Sequence, residues 1–446
     1  MVGFFSGRDF DFALKGDPLV FAQVLSQDLD GSLVCLDEEF GQYRVVKMER
    51  GGMISIDLSS LKGNSIEEDL KRRDFTINSM ALDVKGLFER EDLSIIDPLG
   101  GLKDLNEKRI RLSSPVALSE DPVRMIRAVR IARQYQFTID QNLKKVMKQK
   151  KELISNSSPE RIKAELFKIV DNPGIDESLM LLHELNLLEL LIPEVNAFRE
   201  YGQGEYHRYD LWEHSLKTAW KIELILDGID CSWPAYSSFL IDYFLEWIEG
   251  EVRQRSLLKF TAFLHDVGKP LTRTGEEGKI RFFGHEREGG RINRKIARRF
   301  RLGKKAQKYM EVVTKNHMRI LNLALDPKIT QRAKYRFFRD LGDTGLDILF
   351  LSLADAWATG KDIERTGDYA KVNSIVNSFI EYYFSEYGKQ PLKPLLSGDD
   401  IMQIFNLPEG KRVGELLDMI KEAEAQGEIA NREEAITFLK GRVSCD

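Results

Sequence analysis

Short apolar runs separated by turn residues fill the first sixty positions: Phe10 to Leu14, Ser32 to Leu36, Tyr43 to Met48 and Met53 to Leu58. That rhythm predicts the strands of a mixed sheet, with one helix from about Pro18 to Gln27 after the first. From Asp121 onward the spacing changes to three and four, over Val123 to Tyr135, Pro159 to Val170 and Leu179 to Leu191, which predicts helices. The chain therefore reads as α+β in front and all-α behind. Two breaks interrupt the helical part, an aromatic, glycine-containing stretch at Tyr201 to Tyr209 and a second at Gly388 to Pro394. No internal repeat or low-complexity tract is present.

A length of 446 residues suggests about three domains, each able to bury its own core. Hydrophobic content of 42% and charged content of 31% are ordinary for a globular chain. No apolar run reaches the roughly 18 residues needed to span a bilayer, so no membrane partner is expected. Met1-Val2-Gly3-Phe4-Phe5 lacks the layout of a signal peptide, and a cytoplasmic location is expected. Three scattered cysteines, Cys35, Cys231 and Cys445, argue against a disulfide framework and against a cysteine zinc site.

Net charge is -5, yet two stretches are basic: Arg124 through Lys151, and Arg291 through Lys305. Phosphate binding depends on such local distribution rather than on the total. Taken alone, either stretch also fits a solvated helix face.

Asp9 and Asp11 stand two apart on a predicted strand, so both carboxylates point to one face and can grip one cation. Asp57, on a later predicted strand, is a candidate third carboxylate. Magnesium prefers such hard oxygen ligands, completed by substrate phosphates. An Asp-x-Asp pair by itself also fits a surface strand end.

The pair is followed, in order, by Arg72-Arg73-Asp74-Phe75-Thr76-Ile77-Asn78-Ser79-Met80-Ala81, Asp97-Pro98-Leu99-Gly100-Gly101-Leu102-Lys103-Asp104-Leu105, Glu120-Asp121-Pro122-Val123-Arg124 and Ser158-Pro159-Glu160-Arg161-Ile162. This succession resembles the motifs of the bacterial class II tRNA nucleotidyltransferase and poly(A) polymerase family, whose members are CCA-, CC- or A-adding enzymes. The resemblance implies a catalytic role for Asp9, Asp11 and Asp57 with Mg2+, and nucleotide binding by Arg73, Asp74 and Asn78. A guanidinium can fork onto phosphate oxygens, while a carboxylate can accept from a ribose hydroxyl.

It further implies that Asp121 and Arg124 read the base, the carboxylate accepting from an exocyclic amine and the guanidinium donating to a ring acceptor. Arg127 and Arg130 would face the triphosphate, although residues three apart drift around a helix; Arg133 is expected outside the site. Asp121-Pro122 is also a good helix start, with Asp as N-cap and Pro at the first helical position.

Five of the six histidines fall from His207 onward; the sixth is His183. His214, the pair His265-Asp266 within Phe263-Leu264-His265-Asp266-Val267-Gly268-Lys269-Pro270, then His285, His317 and Asp355, resemble the ligand order of the HD superfamily. Imidazoles and carboxylates from several helices can converge on a metal. His214, His265, Asp266 and Asp355 would form a first site, with His285 and His317 completing a second or binding phosphate. Lys269 could contact phosphate as a point charge. Mixed His/Asp ligation suits manganese, iron, nickel, cobalt or zinc. Some relatives with this domain hydrolyse 2′,3′-cyclic or terminal phosphates.

Two departures stand out. The family carries a Gly-Gly-x-x-Arg-Asp loop before the Asp-x-Asp pair, where backbone N–H groups and arginine cradle the triphosphate. Gly7-Arg8-Asp9 runs straight into the catalytic strand and is no substitute, so the expectation is a misplaced start codon or a shortened chain, with the motif encoded upstream. The second departure is the brief stretch from Asp57 to Arg72, where many CCA- and A-adding relatives have a longer flexible loop; its shortness resembles the CC-adding specialists.

The expected architecture is an α+β, polymerase β-like nucleotidyltransferase head, truncated at its N-terminus, over 1–112. An all-α neck with the base-recognition motif follows over 113–198, an HD metal-binding domain over 199–386 and a tRNA-binding helical tail over 387–446. The expected reaction is addition of CMP from CTP to the tRNA 3′ end, stopping at two cytidines; the alternatives are a full CCA-adding enzyme that also uses ATP, a poly(A) polymerase, and, from another class, an RNA-binding HD phosphohydrolase with an inactive transferase head.

Overall fold

The computed structural model describes residues 9–38, 41–49, 52–84, 94–198, 210–275, 280–326, 329–359, 367–389, 395–425 and 427–443. Gly7, Arg8, His207, Cys445, the break at 201–209 and most of the break at 388–394 lie outside them. The chain divides into two compact units, residues 1–156 and 157–446.

In the first unit, β1 (Asp9–Leu14), β2 (Ser32–Asp37), β3 (Gln42–Glu49) and β4 (Gly52–Ser60) form a mixed sheet in the order β1-β4-β3-β2. β1 runs parallel to β4, and the other pairs are antiparallel. Helix α1 (Pro18–Asp28) starts on the Asp17 side chain, which accepts from the Leu19 N–H.

Period-two alternation sorts the faces. Phe12, Leu14, Tyr43, Val45, Ile56 and Leu58 form one core with Ala22, Leu19 and Leu25 of α1. Asp11 is in register with Asp57, and Asp57 with Arg44, so the polar row lies on the opposite face. A hydrophobic sheet face thus fixes the carboxylates by default, since a one-residue slip would bury them.

From Ser60 the chain turns through 61–65 into α2 (Ile66–Lys71). The turn is tied down: the Leu61 N–H donates to the Leu14 carbonyl (2.9 Å), Lys62 N to Asp69 Oδ1 (2.9 Å) and Asn64 N to Glu68 Oε2 (2.9 Å). Gly63 sits at φ +99°, and a Cβ there would lie 2.9 Å from that of Glu68, so both conformation and space require glycine.

The Asp97 motif caps α3 (Gly101–Asn106) through the Gly101 and Leu102 N–H groups. Its Asp104, fully buried, accepts from Thr76, Arg109 and Arg111. That motif is a strut behind the Arg72-Arg73-Asp74 segment. Helix α4 spans Arg124–Tyr135 and buries Met125, Ile126, Ala128, Val129, Ile131 and Ala132.

One expectation is corrected here: the Asp121 side chain does not cap this helix. Pro122 and Val123 make a tight turn in which Met125 N donates to the Pro122 carbonyl and Ile126 N to the Val123 carbonyl, so the helix starts later. The carboxylate turns toward Arg124 instead.

The second unit is helical apart from one short hairpin, Trp247–Glu249 with Val252–Arg253, among the described residues. Its scaffold comprises α5 (Leu211–Asp227), α6 (Gln254–Phe263), α7 (His285–Arg299), α8 (Lys304–Asn316), α9 (Thr344–Ala358) and α10 (Gly367–Ser385). Residues of 395–443 build a separate small core around Leu396, Ile401, Leu416, Ile420 and Leu439. Among the described residues no helix is long and apolar enough to cross a membrane.

Candidate active sites

In the first unit a cleft of about 550 Å3 is lined by Asp11, Gln42, Ser59, Lys62, Asp69, Arg72, Arg73, Asp74, Asn78, Arg124 and Arg127. Five of these are cations and three are carboxylates, so the cleft favours an anion of several charges. Asp11 is held above the usual carboxylate range by burial and by Asp57 and Asp9, against the pull of Arg73 and Arg44. Carboxylates crowded in this way are relieved by a hard divalent cation, and the donor set fits one.

Asp57 stands beside Asp11 as expected, but both its oxygens accept from Arg44, at 2.6 and 2.7 Å. Arg44 was not foreseen, and only strand register reveals it.

Arg73 pairs with Asp69 at 3.1 Å, which orients its guanidinium at the end of α2. Asp74 is buried; its Oδ1 accepts from the Phe75 N–H (2.8 Å) and from Asn78 (3.2 Å), and its Oδ2 from Arg127 (3.2 Å). Three residues expected at the nucleotide are thus one network.

Arg124 donates to the carbonyls of Arg72 (3.0 Å) and Ala117 (3.2 Å), with Asp121 Oδ2 3.8 Å from its Nε. Arg130, expected at the triphosphate, lies instead a turn beyond Arg127 and donates to Gln134, because residues three apart drift around the helix and leave it outside the cleft lining; Arg133 is also absent from the lining. Asp9 and Asp121 also fall outside the lining. Lys62, Asp69 and Gln42 line it without having been foreseen. Asp69, four residues before Arg73 on a helix, was the available signal.

In the second unit six ligand-type side chains converge from separate segments. His214 comes from α5 and Asp355 from α9; His265 and Asp266 occupy the turn after α6, His285 begins α7 and His317 follows α8. Gly268 lets that turn approach α7, because a Cβ there would meet the His285 carbonyl oxygen at 2.1 Å.

The Asp266 carboxylate stands between two groups. Its Oδ2 faces His265 (3.1 Å), His214 (3.6 Å) and Lys269 (2.6 Å); its Oδ1 faces His285 (3.2 Å) and His317 (3.6 Å). His214 is also 3.1 Å from Asp355.

Each of His265, His285 and His317 turns Nδ1 to the carbonyl three residues back, those of Ala262, Phe282 and Thr314, at 2.7–2.8 Å. The hydrogen on Nδ1 leaves each Nε2 as a lone-pair donor, which is how proteins orient metal-ligating imidazoles. His265 Nε2 and Asp266 Oδ1 are buried with no hydrogen-bond partner, and two ligand trios, His214/His265/Asp355 and His265/Asp266/His317, are close enough to hold an ion. The residues fit metal.

Burial opposes charge on His265, but Asp266 and Asp355 outweigh it and raise its pKa. Burial likewise opposes charge on Asp266, which the neighbouring His265 and Lys269 hold low.

Asn293 was not foreseen; fully buried on α7, it donates to the Leu264 carbonyl (3.1 Å) and to Thr314 (2.7 Å), tying the His265 and His317 segments together. His183 lies outside the cluster, paired with Glu189 and with its ring 5.0 Å from that of Trp212 at a tilt of 58°. In the second basic stretch Arg291, Arg294 and Arg299 pair with Glu288, Glu311 and Glu194.

Known families match in the same order. The profile "Poly A polymerase head domain" matches residues 5–111, "Probable RNA and SrmB- binding site of polymerase A" residues 136–199, and "HD domain" residues 211–356. The chain is 30% identical to the A-adding tRNA nucleotidyltransferase of Deinococcus radiodurans, over 97% of this chain and 91% of that protein. It is also 30% identical to the CC-adding tRNA nucleotidyltransferase of Thermus thermophilus, over 97% and 88%. A solved CCA-adding enzyme in complex with CTP superposes with a TM-score of 0.62 at 18% identity, over 98% of this chain and 87% of that one, a likeness of fold.

Proposed function

Because the chain belongs to the bacterial tRNA nucleotidyltransferase and poly(A) polymerase family with an HD domain, we propose that it extends the 3′ end of tRNA without a template, using CTP and stopping after cytidine addition. The observation that carries this reading is the cleft in which Asp11, Arg73, Asp74, Asn78, Arg124 and Arg127 meet.

The tRNA 3′-hydroxyl oxygen bonds to the α-phosphorus of the nucleotide, the bond to pyrophosphate breaks, and the hydroxyl proton is lost. Asp9 and Asp11 would hold magnesium, which when bound acidifies the hydroxyl and neutralises phosphate charge. Arg73 and Arg127 orient the triphosphate, Asp74 with Asn78 faces the ribose, and Arg124 with Asp121 reads the base. Asp57 acts beside Asp11 with its orientation set by Arg44.

The preference for cytidine rests on the tethered 61–65 turn, which offers no long flexible lever for re-aiming Asp121 and Arg124 between bases. A second reading, adenosine addition, is favoured by the Deinococcus relative.

The HD cluster is read as a transition-metal phosphohydrolase centre, supported by its six converging ligands. The division 1–112, 113–198, 199–386 and 387–446 is supported by the profile matches and by the separate core of the tail. Location in the cytoplasm belongs to the same reading.

The test is incorporation of labelled CMP into tRNA lacking its CCA end, with Asp11→Asn as control. Incorporation abolished in the folded variant is expected, and equal incorporation would remove the assigned role of Asp11.

A further inference from the structure

The HD ligands open onto a cavity of about 1120 Å3, larger than the roughly 300–1,000 Å3 of ordinary small-ligand pockets. Asp266, His285 and Asp355 lie in its wall together with five cations, Lys269, Arg281, Lys315, Arg319 and Lys371. Glu286 is the one further carboxylate among the lining residues. Lys269 is committed to Asp266, and Arg319 to Asp340. Arg281, Lys315 and Lys371 form no ion pair among the described residues, and Arg281 lies 5.7 Å from the Phe283 ring centroid. That ring is 73% exposed at the mouth of the cavity, where Leu325 is 81% exposed.

A single phosphoryl group bound at the metal ligands leaves three such cations unused, and an exposed phenyl ring has no role toward a bare phosphate ester. A chain of phosphates bearing bases uses both: cations track the backbone, and aromatic rings stack bases whatever their identity.

We infer that this cavity binds the phosphorylated 3′ end of a single-stranded RNA of about three nucleotides or more, rather than a free mononucleotide. The inference rests on the phosphohydrolase reading of the HD cluster. In the reaction a water oxygen bonds to phosphorus, the bond from phosphorus to the 3′ oxygen breaks, that oxygen takes a proton, and inorganic phosphate leaves. The product is a free 3′-hydroxyl, the nucleophile that the cleft in the other unit requires.

The test compares the full chain, loaded with Mn2+, on a ribotrinucleotide 3′-phosphate and on the matching nucleoside 3′-monophosphate. The trinucleotide is expected to have a kcat/KM at least tenfold higher at low salt. Its KM should rise with salt at a log-log slope near 2, as for about three neutralised phosphates. The double variant Lys315→Ala/Lys371→Ala should flatten that slope, and Phe283→Ala should cut the trinucleotide preference severalfold, with metal content retained by elemental analysis.

Equal kcat/KM for the two esters, or a preference untouched by both variants, would overturn the inference alone. Absence of hydrolysis of either ester by metal-loaded protein would overturn the phosphohydrolase reading and the inference with it.

Discussion

Replacing Asn293 by alanine tests whether the HD ligands are held in place by a residue that touches no metal. The Asn293 amide donates to the Leu264 carbonyl at 3.1 Å and to Thr314 Oγ1 at 2.7 Å. The Leu264 carbonyl keeps the Val267 N–H as a donor after the change, so it is not orphaned. The Thr314 hydroxyl, in a fully buried residue, loses its partner in Asn293, which costs about 1–3 kcal/mol.

The further consequence is positional. The residue after Leu264 is His265, and the Thr314 carbonyl fixes the His317 ring. Loosening both segments is expected to weaken metal binding by about 10–100-fold, which corresponds to ~1.4–2.7 kcal/mol. The assay is competition for Mn2+ against a chelator, run beside urea unfolding of the metal-free protein. A variant that loses stability but binds Mn2+ within twofold of wild type would refute the positioning role and leave Asn293 as packing alone.

Asp9→Ala and Asp11→Ala are expected to abolish nucleotide addition with unchanged thermal unfolding, since both side chains stand on the polar face of the strand, opposite the apolar core, and open no cavity in it; wild-type incorporation by either folded variant contradicts this. His265→Ala and Asp266→Ala should release bound transition metal and end phosphoester hydrolysis while sparing nucleotide addition, because the two sites lie in different compact units; unchanged metal content by elemental analysis would count against it. Asp347 is buried, which pushes its carboxyl from 3.8 up to about 6 despite hydrogen bonds from Tyr243, Tyr309 and Gln254. Raised in the fold, this group favours the native state most below pH ~4 and loses that contribution, about 3 kcal/mol, as pH rises through ~6. Asp347→Asn should therefore gain stability relative to wild type between pH 4 and 6, and a constant difference in chemical unfolding across that window would disprove the assignment.

The strands were legible because a half-buried sheet imposes alternation: Phe12, Leu14, Tyr43, Val45 and Leu58 had to share one face, which left Asp9, Asp11 and Asp57 on the other. The HD ligands were legible from residue type and order. Arg44 was hidden because its partner Asp57 is set by cross-strand register, which no local pattern states. Asn293 was hidden because a buried amide on a basic helix looks like any polar helix residue until its two partners are known. Asp121 was misread as a cap because propensity favours Asp-Pro at a helix start, whereas the pull of Arg124 and the turn at Pro122 decide its orientation. Arg130 was expected at the triphosphate with Arg127, but 300° of rotation from 124 to 127 and again to 130 carries it away from the cleft, where it meets Gln134.

A tRNA that lacks its CCA end, given to the protein with CTP and ATP and its products resolved to single nucleotides, tests the cytidine-adding function most directly. Two CTP-dependent additions and a terminal adenosine that is slow or absent are expected. Efficient appearance of the complete CCA end would contradict the cytidine specificity. No addition of either nucleotide would contradict the transferase function itself.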